Sequence, residues 1–143
     1  MITNEHYRDF IGTLAHKRAS VNCEMKAWEH RMARGQVDYS EYWEYHELEH
    51  EFDVLTRIQD YFMEYSRWIY FADLETLKLY IKVLEVNYKT MTEYSNLMLP
   101  EDGGELVGVT NEEWDSFESE RYKMSKKIQA WKYFAYFCEH GNV

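Results

Sequence analysis

Helix-breaking residues and cysteines are scarce in this chain. One proline and six glycines are spread over 143 residues, and strong breaks are confined to residues 35–38 and 100–108. Cys23 and Cys138 are too few and too distant in sequence for a disulfide framework, and neither belongs to a CxxC pair. No apolar run approaches the length of a membrane span, and residues 1–5 show no secretory signal. We therefore expect a cytoplasmic protein without disulfides or membrane contact.

Positive charge is also scarce. The chain has 16 lysines and arginines against 26 acids, which gives a net charge of −10. Eleven of the acids fall between Asp38 and Glu75, where Arg57 and Arg67 are the only lysines or arginines. A concentrated negative surface repels nucleic-acid and lipid phosphates and attracts basic partners. We therefore expect a basic, nucleic-acid-binding protein as partner, and no direct binding of nucleic acid or membranes.

Apolar residues recur at intervals of three and four along four segments, which is the pattern of amphipathic helices with heptad seams. Potential capping residues precede three of these segments: Asp38, Asp73 and Thr110. We predict helices at about residues 4–34, 39–70, 73–99 and 111–139, with a loop at 100–110. Four long helices favour an all-α fold, an elongated four-helix bundle that forms a single domain over residues 1–143.

The join between the second and third predicted helices has two interpretations. Residues 66–73 contain neither glycine nor proline, so the sequence does not force a turn there. A turn gives a helical hairpin. A continuous or bent helix gives an extended rod, which has to dimerise to bury its apolar stripes.

Arg18 and Arg121 occupy seam positions in the first and fourth predicted helices. An arginine in a core needs a carboxylate partner or an anionic ligand, because an unpaired buried charge is strongly destabilising. We expect structural ion pairs that help to set helix register, with a small anion pocket as the alternative. Cys138 also lies on a seam and is predicted to be an inert core thiol, whereas Cys23 faces outward.

Residues 46–50 satisfy the H-E-x-x-H pattern, in which two histidines one helical turn apart bind zinc and the glutamate activates water. The flanking acids Glu44, Glu49 and Glu51 are unlike the largely apolar helix of a zinc protease, and His46 and His50 point away from the predicted seam. No third ligand is apparent, although catalytic zinc needs three from the protein. We therefore expect surface histidines and predict neither a metal nor a cofactor.

Carboxylates and tyrosines alternate along the second predicted helix. The acids recur every three or four residues, a spacing similar to that of a row of phosphates, and the tyrosines add contact area at low entropic cost. The predicted partner-binding residues are Asp38, Glu41, Tyr42, Glu44, Glu47, Glu51, Tyr61 and Tyr65. A solvated acidic face without a partner is the ordinary structural alternative.

Three functional hypotheses follow. The first, which we favour, is a non-enzymatic inhibitor that mimics nucleic acid and blocks the basic groove of a nucleic-acid-handling protein, as phage anti-defence proteins of the anti-CRISPR type do. The second is a structural or adaptor bundle that forms homodimers through its C-terminal aromatic residues. The third is a zinc-dependent hydrolase that uses His46, Glu47 and His50.

Overall fold

The structure is a computed structural model that describes residues 1–64, 67–99 and 104–143. Within these ranges the chain forms four α-helices, and β structure is limited to a single antiparallel bridge between Ile2 and Phe71. The all-α class is therefore confirmed. The helices are α1 (Asn4–Ala33), α2 (Tyr42–Met63), α3 (Leu74–Met98) and α4 (Asn111–His140).

Capping residues account for several of the helix ends. The Asp73 carboxylate accepts a hydrogen bond from the backbone N–H of Thr76 at 2.8 Å, and the Thr110 hydroxyl accepts one from the N–H of Glu113 at 3.1 Å. Both satisfy amide groups that the first turn of a helix leaves without partners. Asp38 makes no such bond: it precedes a single 3₁₀ turn at Tyr39–Glu41, and α2 begins only after that turn.

The prediction that the second helix runs to residue 70 is wrong. Helix α2 ends at Met63, and the indole N–H of Trp68 donates to the carbonyl of Phe62 at 2.9 Å. The Tyr7 hydroxyl donates to the carbonyl of Ile69, and the N–H of Ile2 donates to the carbonyl of Phe71 at 2.8 Å. These tertiary hydrogen bonds hold residues 67–71 in an irregular segment against the start of α1, so a turn forms without glycine or proline. Helices α2 and α3 are consequently separate, and the continuous rod is excluded.

The helices pair into two antiparallel hairpins. In the first hairpin α1 packs on α2, with Arg31 beside Glu41 at the turn and Tyr7 beside Phe62 at the opposite end. The second hairpin pairs α3 with α4. Helix α4 also contacts α1 and α2, whereas α3 packs on no other described helix.

The four helices share a core at one end of the hairpins. Tyr7 stacks on Phe134 with ring centroids 4.3 Å apart, and Phe10 meets Phe62 edge-on at 5.3 Å. The buried residues of α1 lie between Tyr7 and Val21, and those of α2 lie in its second half, from Val54 to Phe62. The turn between α1 and α2 therefore extends beyond the buried residues that these two helices contribute to the shared core.

Candidate functional site

The turn between α1 and α2 is held by short-range contacts. Gly35 adopts φ = 66°, a left-handed conformation that costs a glycine little, and its N–H donates to the carbonyl of Met32 at 3.0 Å. The Arg31 guanidinium lies over the Trp28 ring at 4.6 Å and pairs with the Glu41 carboxylate at 3.1 Å. These contacts give the end of the hairpin a defined backbone on which side chains can be presented.

Exposed aromatic rings cluster at this turn. Tyr39 is 89% exposed and Trp43 is 68% exposed, and the half-exposed Tyr42 ring lies against His46 at 4.9 Å. Trp43 was not among the predicted binding residues. Its position outside the predicted seam and among glutamates could have indicated an exposed tryptophan. Large exposed aromatic residues beside one another are typical of protein-binding surfaces.

Three of the predicted binding acids lie beside these rings without a cationic partner. Asp38, Glu44 and Glu47 are exposed and form no ion pair with any part of the chain that the structure describes. The other two predicted acids are compensated, because Glu41 pairs with Arg31 and Glu51 lies 3.4 Å from the Lys17 ammonium group. We call the exposed set the acidic tip; it consists of Asp38, Tyr39, Tyr42, Trp43, Glu44 and Glu47.

The acidic tip continues a helix face that is buried elsewhere. Residues 7 or 11 positions apart lie on the same side of an α-helix, so Glu47 shares a face with Val54 and Ile58. Val54 and Ile58 are buried in the shared core. The same face is thus buried over its apolar half and open to solvent over its acidic half.

Tyr61 and Tyr65, the remaining predicted binding residues, do not belong to the acidic tip. The Tyr61 hydroxyl accepts a hydrogen bond from the Trp131 indole N–H at 3.1 Å, which joins α2 to α4 at the hairpin junction. Tyr61 also lines a cleft of about 570 Å³ together with Arg57 and Lys127. Tyr65 lies outside the described residues. Of the predicted residues, Asp38, Tyr42, Glu44 and Glu47 therefore lie in the tip, and Tyr61 lies at the junction.

One partly buried, hydrogen-bonded polar pair supports the base of the tip. The Tyr45 hydroxyl donates to the Glu29 carboxylate at 3.0 Å, across the α1–α2 interface. Two effects raise the pKa of Tyr45 to about 12: burial, which is the larger, and this hydrogen bond. The hydrogen bond from Tyr45 lowers the pKa of the Glu29 carboxyl, and the hydrogen bond from Lys26 lowers it further. Tyr45 is thus held in its neutral, hydrogen-bonding form.

The H-E-x-x-H residues contribute no assembled metal site. The His46 ring nitrogen Nδ1 lies 2.9 Å from the Glu49 carboxylate, and His50 is exposed. Within residues 1–64, 67–99 and 104–143, no three histidine, cysteine, aspartate or glutamate side chains are grouped so that they could hold a metal ion.

The two seam arginines have different partners. Arg121 pairs with Glu118 at 2.8 Å, as predicted, and this contact lowers the pKa of the Glu118 carboxyl despite its partial burial. Arg18 has no carboxylate partner among the residues that the structure describes: it donates to the side-chain oxygen of Gln59 at 2.9 Å and lies over the Phe52 ring at 5.2 Å. A neutral amide and an aromatic face therefore replace the ion pair expected at Arg18.

No protein-family model matches the chain, and no curated protein or solved structure matches it either. In the part of the chain that the structure describes, no helix combines the length and the apolar character needed to cross a membrane. The activity has to be inferred from the residues themselves, among which the acidic tip is the most distinctive group.

Proposed function

We propose that this chain is a non-enzymatic binding protein that inserts its acidic tip into the basic groove of a nucleic-acid-handling protein. Occupying that groove excludes nucleic acid, which is the mechanism of small phage inhibitors of host defence, including anti-CRISPR proteins. The observation that carries the proposal is the placement of uncompensated carboxylates beside exposed aromatic rings at the end of a helical hairpin.

The carboxylates supply attraction and orientation. Glu44 and Glu47 lie one helical turn apart, and Asp38 stands at the entry to the helix. Within the described part of the chain, none has a cationic partner to displace before a lysine or arginine of the bound protein can take its place. Charge pairs of this kind accelerate association and weaken as salt screens them.

The aromatic rings supply the apolar part of the contact. Trp43 and Tyr39 already have most of their surface in water, so a partner can remove a large apolar area without any rearrangement of the chain. Tryptophan and tyrosine are the residue types that most often dominate binding energy at the centre of an interface. We therefore assign Trp43 as the anchor and the surrounding acids as the charged rim.

Capture of a partner from host lysate, followed by comparison of variants, tests the proposal. The double variant E44K/E47K reverses two exposed charges and should abolish capture while the circular dichroism spectrum stays unchanged. The matched control D9K/D115K makes the same change in net charge at two exposed acids outside the tip. It should retain the partner. Equal loss in both variants would show that net charge alone drives the binding.

The anchor requires its own variant. Trp43→Ala should weaken binding by at least tenfold, as expected for truncation of a hot-spot residue. Its binding should remain weak at low salt, because the lost contact is apolar. Unchanged affinity would remove Trp43 from the interface and leave an acidic face alone.

A further inference from the structure

Helix α3 carries a second apolar row on the side turned away from α4. The α4-facing side includes the buried residues Leu77, Ile81 and Leu84. Two positions further along the helix, roughly 200° away at 100° per residue, exposed apolar residues begin. We call this row the outer stripe; it consists of Leu79, Val83, Val86, Tyr94 and Leu97, which are between 58% and 77% exposed.

The outer stripe is continuous enough to form an interface. It runs from Leu79 to Leu97, about 27 Å of helix at 1.5 Å per residue, with Thr90 in the gap between Val86 and Tyr94. Five exposed apolar side chains in one row form a patch on the order of 500 Å², at the upper end of what monomeric proteins expose. A helix that is apolar on two opposite sides normally has both of them covered. Among the described helices, only α4 packs on α3, and it covers the other side.

The sequence of α3 favours a second copy of itself as the cover. On this side of α3, successive positions are separated by four, three, four, three and four residues: 79, 83, 86, 90, 93 and 97. This series of intervals is the same in both directions along the helix. Two α3 helices laid antiparallel can therefore place Leu79 of one copy opposite Leu97 of the other, with Val86 opposite Thr90. The same register places Val83 of one copy opposite Glu93 of the other, and Tyr94 opposite Lys82.

Charge favours the antiparallel arrangement over the parallel one. Glu93 lies within this pattern and Lys82 flanks it; both are exposed, and neither forms an ion pair with another described residue. In a parallel pair Glu93 would face Glu93 of the second copy, which is unfavourable. In the antiparallel pair Lys82 comes within reach of Glu93 of the second copy, and two-fold symmetry produces this contact twice. Lys89 lies near the two-fold axis, where its long side chain can extend into solvent.

We propose that this protein forms a two-fold symmetric dimer through the outer stripe of α3, with the two helices antiparallel. The interface is separate from the acidic tip, which belongs to the other hairpin, and the proposal stands whether or not the tip binds a groove. Each dimer presents two tips, so a partner with two basic sites is bound with higher apparent affinity than by a monomer.

Sedimentation velocity from 1 to 300 µM on the full chain tests the dimer. The wild type should sediment as a dimer at the upper concentrations. Val86→Glu introduces two charges near the axis and should yield a monomer that keeps the wild-type circular dichroism spectrum, because Val86 is exposed. The matched control is Val107→Glu, an equally exposed valine outside the stripe, which should remain dimeric. A monomeric wild type throughout, or a dimeric Val86→Glu variant, would overturn the proposal.

A charge exchange tests the direction of the helices. Lys82→Glu places like charges opposite one another in the antiparallel dimer, and Glu93→Lys does the same. Each single variant should raise the dimer dissociation constant about tenfold, and K82E/E93K should return it to within about threefold of the wild-type value. Additive losses without recovery in the double variant would exclude this register.

Discussion

Trp131 connects all four helices, and its truncation tests how the two hairpins are held together. It is only 2% exposed, and its ring lies 5.1 Å from Phe62 of α2 and 5.2 Å from Tyr80 of α3, edge to face in both cases. It also contacts Tyr7 of α1 and, within α4, Phe134. Trp131→Ala therefore removes one side chain that contacts residues of both hairpins.

The expected cost of Trp131→Ala is large because several losses coincide. Truncation of a buried tryptophan costs about 3–5 kcal/mol, and partial collapse of the cavity sets the position within that range. The edge-to-face contacts add about 0.5–1.5 kcal/mol each beyond buried area, although such contributions are not fully additive. Loss of the indole N–H leaves the Tyr61 hydroxyl able to reach water, since Tyr61 is only partly buried. We therefore expect a loss of about 4 kcal/mol in the free energy of unfolding.

Urea denaturation followed by far-ultraviolet circular dichroism measures this loss. Trp43→Ala is the matched control, because it deletes the same side chain at a position where most of its surface already faces solvent. The control should change the unfolding free energy by no more than about 0.5 kcal/mol. A loss below about 1.5 kcal/mol for Trp131→Ala, or similar losses for the two variants, would refute the shared core.

Three further predictions follow from individual side chains. Because Tyr45 has its pKa raised from 10.0 to about 12, its stabilising effect is complete below pH 10 and is lost as the pH rises through 12. Unfolding free energies measured from pH 9 to 12 should fall more steeply for the wild type than for Tyr45→Phe, and parallel curves would contradict this. Burial raises the pKa of the Cys138 thiol to about 11. Ellman's reagent should therefore modify exposed Cys23 quickly in the native protein and Cys138 only after unfolding. Equal rates for both thiols in the native protein would contradict this prediction. Thr110→Ala removes a helix cap and should cost about 1 kcal/mol in thermal unfolding, whereas Thr110→Ser should cost almost nothing.

Local signals were sufficient to predict the helices and some of their contacts. Asp73 and Thr110 begin helices because their side-chain oxygens satisfy free amide groups, and both effects involve only neighbouring residues. The Arg121 ion pair was also predictable, because Glu118 lies three residues earlier on the same helix. Capping was predicted correctly from local sequence at Asp73 and Thr110 but not at Asp38, which makes no capping hydrogen bond.

Contacts between residues distant in sequence could not be predicted from periodicity and capping. The end of α2 depends on hydrogen bonds from Tyr7 and Ile2, more than 60 residues away, to a segment with no intrinsic breaker. The predicted seam accounts for one packed face of the helix. Because α2 packs on both α1 and α4, the seam omitted the core residues Val54 and Ile58. The predicted binding acids were recognised from their spacing, but their separation into paired and unpaired groups depends on where Arg31 and Lys17 of α1 lie.

Competition with nucleic acid is the most direct test of the proposed function. The protein captured from lysate is bound to a fluorescent duplex or single strand, and fluorescence anisotropy is recorded as this chain is added. Groove occupancy predicts full displacement of the nucleic acid by the wild type and by D9K/D115K, with little displacement by E44K/E47K. A stable ternary complex, in which partner, nucleic acid and this chain bind together, would contradict the account.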